Sequence, residues 1–133
     1  MWWFVRRPYT YGVKCIVRDD RGRVLFVRHT YADRTLWEVP GGGRRRSEEP
    51  EVAVRREMRE ELGIELVDLR AVGELEIGSG YKRTLLHCFA ATTGAAPIRL
   101  AAAEIAQARW APADAPPRPL GRDVAAMLAL VRE

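Results

Sequence analysis

Glu57, Glu60 and Glu61 are the residues whose type and spacing could do chemistry. On a helix, at roughly 100° per residue, they project within about a 100° arc beside the apolar stripe of Val54, Met58 and Leu62. Carboxylates crowded in this way raise one another's pKa and destabilise the helix unless a cation compensates them. Arginine or a metal ion must supply that charge. Arg56 stands one turn before Glu60, with Arg55 and Arg59 further round, so a solvated, salt-bridged helix meets the pattern as well as a metal site does. Gly41, Gly42 and Gly43 lie just ahead, and glycine lets a backbone carbonyl approach a ligand closely. Hard divalent cations take oxygen ligands of these two kinds, and magnesium completes its octahedron with water and substrate phosphate oxygens. A glycine run alone is more often a plain turn.

The elements that must position these groups follow from periodicity and turn chemistry. Residues 11–18 read as a strand, Asp19 to Gly22 as a turn, and Arg23 to Arg28 as the returning strand of a hairpin. The short run from Leu36 to Val39 meets Pro40 and the glycines, which predicts a loop with unusual backbone freedom. Pro50 to Leu62 is helical: Pro50 suits the first turn, Glu51 the positive helix end, and Gly63 a left-handed cap with Ile64 packing back. Strands are expected at 71–77, 83–91 and around 108–110, a loop at 112–119, and a closing helix at 123–131. Strands mixed with two helices imply an α/β fold, a sheet covered on both faces.

The stretch from Gly42 to Ile64 resembles the Nudix box, G-x5-E-x7-R-E-U-x-E-E-x-G-U with U a bulky aliphatic residue. Gly42, Glu48, Arg56, Glu57, Met58, Glu60, Glu61, Gly63 and Ile64 fill its constrained positions. Residues 37–42 resemble the usual lead-in, and Trp110 to Pro112 the strand and loop after the sheet. The resemblance to the MutT-like Nudix hydrolases implies a mixed β-sheet sandwiched between α-helices. It also implies that Glu57, Glu60 and Glu61, with the carbonyl of Gly41, bind Mg2+ or Mn2+. Arg56 would orient the carboxylates and Glu48 would brace the loop against the helix, roles that fix ligand rotamers. The glycine common before the first box glutamate is Ser47 here, which bears on the loop conformation. Some members recruit a glutamate beyond the box as ligand or base. Glu104, six residues before Trp110, is the candidate by position, carried in on a mobile loop, with a plain exposed loop residue as the alternative. The implied reaction is hydrolysis of a phosphoanhydride in a nucleoside diphosphate derivative, with Glu57, Glu60, Arg56 and Glu104 as the catalytic set.

Arg28, His29 and the run Arg44 to Arg46 could grip phosphates, because guanidinium matches phosphate oxygens bidentately; an exposed basic loop is the plainer account of the run. Tyr31, Trp37 and Tyr81 are available to stack a nucleobase, although Trp37 also suits the core. A nucleotide-sensing module of the same fold could dispense with the box carboxylates, yet all are present. An RNA-end hydrolase would exploit the net charge of +4, but no aromatic RNA motif accompanies it, and arginine-rich coding explains the charge as well. A small-molecule nucleotide is therefore the expected partner, nucleic acid is not, and a homodimer is an open alternative. The chain's 133 residues suit one domain. No apolar run approaches the roughly 20 residues that cross a bilayer, and the apolar start is too short for an export signal, so a cytoplasmic enzyme is expected. Cys15 and Cys88 have neither redox nor zinc spacing and read as buried thiols.

Overall fold

Apolar residues at every position from Val24 to Val27 leave this segment no polar face, so it must be covered on both sides. The computed structural model describes residues 9–31, 33–79, 82–94 and 97–132 and places the segment inside a six-stranded mixed sheet. The elements are β1 (Tyr9–Arg18), β2 (Val24–His29), β3 (Gly41–Gly43), α1 (Pro50–Leu62), β4 (Leu66–Ser79), β5 (Lys82–Thr93), β6 (Ile105–Ala111) and α2 (Val124–Ala129). The order across the sheet is β4-β5-β1-β2-β6, with β3 also on β1. β1 and β5 run parallel; every other pair is antiparallel.

Alternation along β1 sends Val13, Cys15 and Val17 to one face, where they meet Val54, Met58 and Leu62 of α1. Ile16, with Val24, Phe26 and Trp37, faces the other way and packs on Val124, Met127 and Leu128 of α2. The expected sandwich of a mixed sheet between helices is what the chain adopts. Both cysteines lie in this interior as free thiols, and burial pushes Cys15 up to about 12 and Cys88 to about 11. α1 ends in a left-handed Gly63 whose N–H donates to the Arg59 carbonyl, while Ile64 N–H donates to that of Met58. Burying Met58 and Leu62 behind that cap stabilises the helix by about 1.5–3 kcal/mol each.

Two expectations need correction. The run Gly41 to Gly43 is a strand rather than a loop, paired antiparallel with Gly12 to Lys14. Its lead-in also opens the hairpin expected of β1 and β2. Those strands register only at Arg18 and Val24, because Glu38 exchanges both backbone hydrogen bonds with Val27 and the Pro40 carbonyl accepts from Cys15 N–H. Glycine is what permits this: a Cβ on Gly41, whose φ is +155°, would collide with the Val13 carbonyl oxygen. β4 and β5 extend beyond the expected spans, with β4 absorbing irregular register at bulges before Arg70 and Gly73. α2 is shorter than 123–131, though Val131 stays buried beyond it.

Candidate active site

Glu48 and Arg56 set the frame. From the second turn of α1, Arg56 donates Nε to Glu48 Oε2 (2.8 Å) and Nη2 to Glu48 Oε1 (2.9 Å), a bidentate pair. Glu48 Oε1 also accepts from Arg45 N–H at 2.9 Å. The Arg56 hydrogen bonds, then that of Arg45, hold the Glu48 carboxyl at about 2. Arg56 reaches onward to the Gly43 carbonyl (3.1 Å), Glu57 Oε1 (3.1 Å) and Glu60 Oε1 (3.0 Å). One guanidinium thus ties β3, the following loop and two helix carboxylates together. The loop turns through Ser47, which takes the left-handed region at φ +65°, the conformation glycine adopts without strain.

Glu57, Glu60 and Glu61 border one cavity of about 390 Å³, walled on the sheet side by Gly42 and Gly43. The Glu57 carboxylate lies directly over Gly42, where a Cβ would stand 2.6 Å from its Oε2. Glu61 is 3% exposed and its Oε1 has no hydrogen-bond partner, whereas Glu60 is exposed and turned toward Arg56 and Arg45 (3.6 Å). Among the described residues no three acidic, imidazole or thiol groups converge closely enough to hold a metal ion as they stand. All three line the cavity, with Glu57 and Glu60 held by Arg56 and Glu61 buried behind them.

Burial, and then the Glu57 carboxylate, push Glu61 far above the usual carboxylate range. A raised acid pKa means that the folded state binds more protons than the unfolded one. The metal-free protein should therefore lose stability as pH rises above the ordinary carboxylate range. A divalent cation that binds the ionised pair reverses this, so added magnesium should raise Tm more at about pH 8 than at about pH 5. Thermal melts at both pH values, with and without the ion, check this; equal shifts would count against cation binding at Glu61.

Two segments 73 residues apart supply the rest of the lining. Thr30 N–H donates to the Glu104 carbonyl (3.0 Å) and Thr30 Oγ1 to that of Ala103 (2.6 Å). Tyr31 and Glu104 consequently border the same cavity as the carboxylates. Glu104 is exposed, as one reading held, yet its turn is pinned: Ala101 N–H donates to the Glu61 carbonyl (2.9 Å), and Glu104 N–H to that of Ala101 (2.9 Å). His29 is buried beneath Tyr31, and burial, then Lys14, pushes its pKa down.

The other candidates stand further off. Gly41 is buried in the ladder opposite Lys14, one residue from the cavity wall. Arg28 packs over Trp37 (4.9 Å) and donates to Gln107, on the α2 face of the sheet rather than beside the carboxylates. Arg44 lies over the Tyr11 ring (4.6 Å); within the basic run it is Arg45 that meets a site carboxylate. Trp37 is buried, with the guanidinium of Arg28 on its ring and that of Arg109 at 5.0 Å, and so offers no stacking surface. Tyr81 lies outside the described residues. His87 pairs with Glu74 across β4 and β5 (3.2 Å). Sequence reasoning missed Lys14, whose Nζ donates to the Val39 carbonyl (3.0 Å) and braces the lead-in to β3. Its signal was a lone charge inside an apolar strand. A larger cleft of about 590 Å³ sits at the β1–β2 turn against Trp110; Asp19 there caps the turn through the N–H groups of Arg21 and Arg23.

Residues 8–131 match the NUDIX domain. The chain belongs to the NUDIX family. Its fold matches a MutT NUDIX hydrolase of Burkholderia pseudomallei with a TM-score of 0.84, over 94% of this chain and 99% of that one, at 24% identity. A MutT protein of Methanosarcina mazei Go1 matches at 0.72, over 82% and 80%, with 26% identity. The RNA pyrophosphohydrolase of Hydrogenovibrio crunogenus is 37% identical over 65 residues, 49% of this chain and 38% of that protein. The ADP-ribose pyrophosphatase of Mycobacterium tuberculosis is 32% identical over 85 residues, 61% of this chain and 41% of that protein. The chain thus spans less than half the length of these curated relatives. In this NUDIX domain the box from Gly42 to Ile64 runs from β3 through α1 to its cap. Among the described residues no helix is long and apolar enough to cross a membrane.

Proposed function

We propose that this NUDIX chain is a divalent-metal-dependent hydrolase. Its substrate would be a nucleoside diphosphate joined to a further group, such as a nucleoside triphosphate, ADP-ribose or a nucleotide sugar. The observation that carries this reading is the Glu57–Glu61 pair at the cavity wall, with a buried Glu61 oxygen that no protein group satisfies. A buried carboxylate without a partner costs stability unless a ligand compensates it. Glu57, Glu60 and Glu61, with the Gly41 carbonyl nearby, are the groups that would hold Mg2+ or Mn2+. Such an ion, when bound, lowers the pKa of a water and neutralises phosphate charge.

The protein's own groups then have separable roles. Arg56 fixes the rotamers of Glu57 and Glu60, and Glu48 fixes Arg56. Glu57 and Glu104 both border the cavity, and either can accept the proton of the attacking water. The names of the relatives, an RNA pyrophosphohydrolase and an ADP-ribose pyrophosphatase, support a pyrophosphate bond as the target. The first of these names, with Arg45 at the Glu60 rim, favours an RNA end as the second reading. The full set of box carboxylates weighs against a sensing module that does not cleave.

The test is a substrate panel of nucleoside triphosphates, dinucleoside polyphosphates, ADP-ribose, nucleotide sugars and a 5′-triphosphorylated oligonucleotide. Each is incubated with magnesium or manganese and scored by products. Two phosphate-bearing products are expected from at least one small nucleotide, with loss of turnover in chelator. Full activity in chelator would overturn the mechanism, and cleavage of the oligonucleotide alone would replace the substrate class.

A further inference from the structure

Among the described aromatic rings near the site, Tyr31 differs from the rest. Trp37 is buried between guanidinium groups, and Tyr11 carries Arg44 on its ring. Tyr31 is 54% exposed, borders the carboxylate cavity, and is stacked on the His29 ring with centroids 4.9 Å apart and planes 28° from parallel. His29 is itself buried at the end of β2, so the lower ring is fixed by the sheet. A register shift at Arg28 and His29 and the paired Thr30 hydrogen bonds to Ala103 and Glu104 hold the backbone between the two rings. The result is a preorganised aromatic face beside the residues that would handle phosphate.

We propose that Tyr31, supported from beneath by His29, is the platform on which the nucleobase of the substrate stacks. The inference rests on the hydrolase reading above and deepens it, selecting base-bearing diphosphates over phosphoanhydrides without a base. One ribose joins base to phosphate, so the two must be recognised within one cavity, and a volume of about 390 Å³ is of the size that small-molecule sites occupy. Stacking needs a flat ring whose position costs no further ordering on binding, and the His29 support supplies that. The phenol hydroxyl is not needed for stacking; the ring is.

The test compares wild type, Tyr31→Phe and Tyr31→Ala. Dissociation constants are measured for a non-hydrolysable nucleoside triphosphate analogue and for inorganic tripolyphosphate, both with magnesium, and kcat and KM for the preferred nucleotide. Tyr31→Ala should weaken nucleotide binding roughly 5- to 150-fold, the range for losing one base–aromatic stack, and raise KM in parallel. Tripolyphosphate affinity and kcat should stay within about twofold, and Tyr31→Phe should match wild type. Unchanged nucleotide affinity in Tyr31→Ala, or an equal loss for nucleotide and tripolyphosphate, would overturn the platform. Binding is read apart from turnover, so a wild type that binds nucleotide through Tyr31 yet hydrolyses nothing would refute the reaction while supporting the platform.

Discussion

Glu61→Gln should abolish hydrolysis while the protein remains folded. The side chain is 3% exposed, so glutamine fills the same space, and removing the charge relieves the repulsion from Glu57 that burial intensifies. In the metal-free state the variant should melt at the same temperature as wild type or higher, and its stability should no longer fall with rising pH. What it loses is a buried oxygen at the cavity wall that can ionise to meet a cation. A cation at such a site contributes several kcal/mol of charge stabilisation, and at about 1.4 kcal/mol per tenfold its loss corresponds to about 10³-fold or more in kcat. Glu60→Gln should show a comparable loss of turnover with little change in metal-free stability, because Glu60 is exposed and its partners Arg45 and Arg56 reach solvent or Glu48 instead. Thermal melts and steady-state turnover at saturating magnesium measure both effects. Wild-type kcat in a folded Glu61→Gln protein would remove Glu61 from the reaction.

How far the sequence reveals this site depends on the range of the interactions that build it. α1 is local: proline at its start, apolar residues at four-residue spacing and a glycine cap all act within one turn, and the helix runs from Pro50 to Leu62 as those signals imply. Arg56 and Glu48 are eight residues apart; the box resemblance gives each a separate role, Arg56 toward the carboxylates and Glu48 bracing the loop, and it is the structure that joins them in one bidentate pair. The glycines of β3 are different. Their extended pairing depends on Gly12 to Lys14, some 28 residues earlier, and a glycine run carries no local sign of a distant partner. Which face of the sheet Arg28 takes is illegible in the sequence for a related reason. A strand buried on both faces shows no polar alternation, so nothing in Val24 to Val27 says which neighbour faces α1 and which α2. Ser47 lies between these cases: the missing box glycine pointed to that position, and its positive φ is the physical content of the departure.

Glu104→Gln should lower kcat by about 10² to 10⁴, the range for a lost general base, while leaving the magnesium requirement nearly unchanged. Glu104 comes to the cavity through Thr30, 74 residues earlier, and through Ala101, whose N–H donates to the Glu61 carbonyl in the last turn of α1, so no local pattern shows that it lines the site. The pinned turn keeps the carboxylate at the wall, and exposure leaves it open to water. Its charge already acts across the cavity, where it is one of the groups that raise Glu61. Activity of the variant across a magnesium titration separates the roles. A fall in kcat at unchanged half-saturating magnesium identifies a base. A rise in the magnesium needed, recovered at high concentration, identifies a ligand. Neither effect in the folded variant would make Glu104 a plain turn residue and leave Glu57, fixed over Gly42 and against Arg56, as the group that takes the proton.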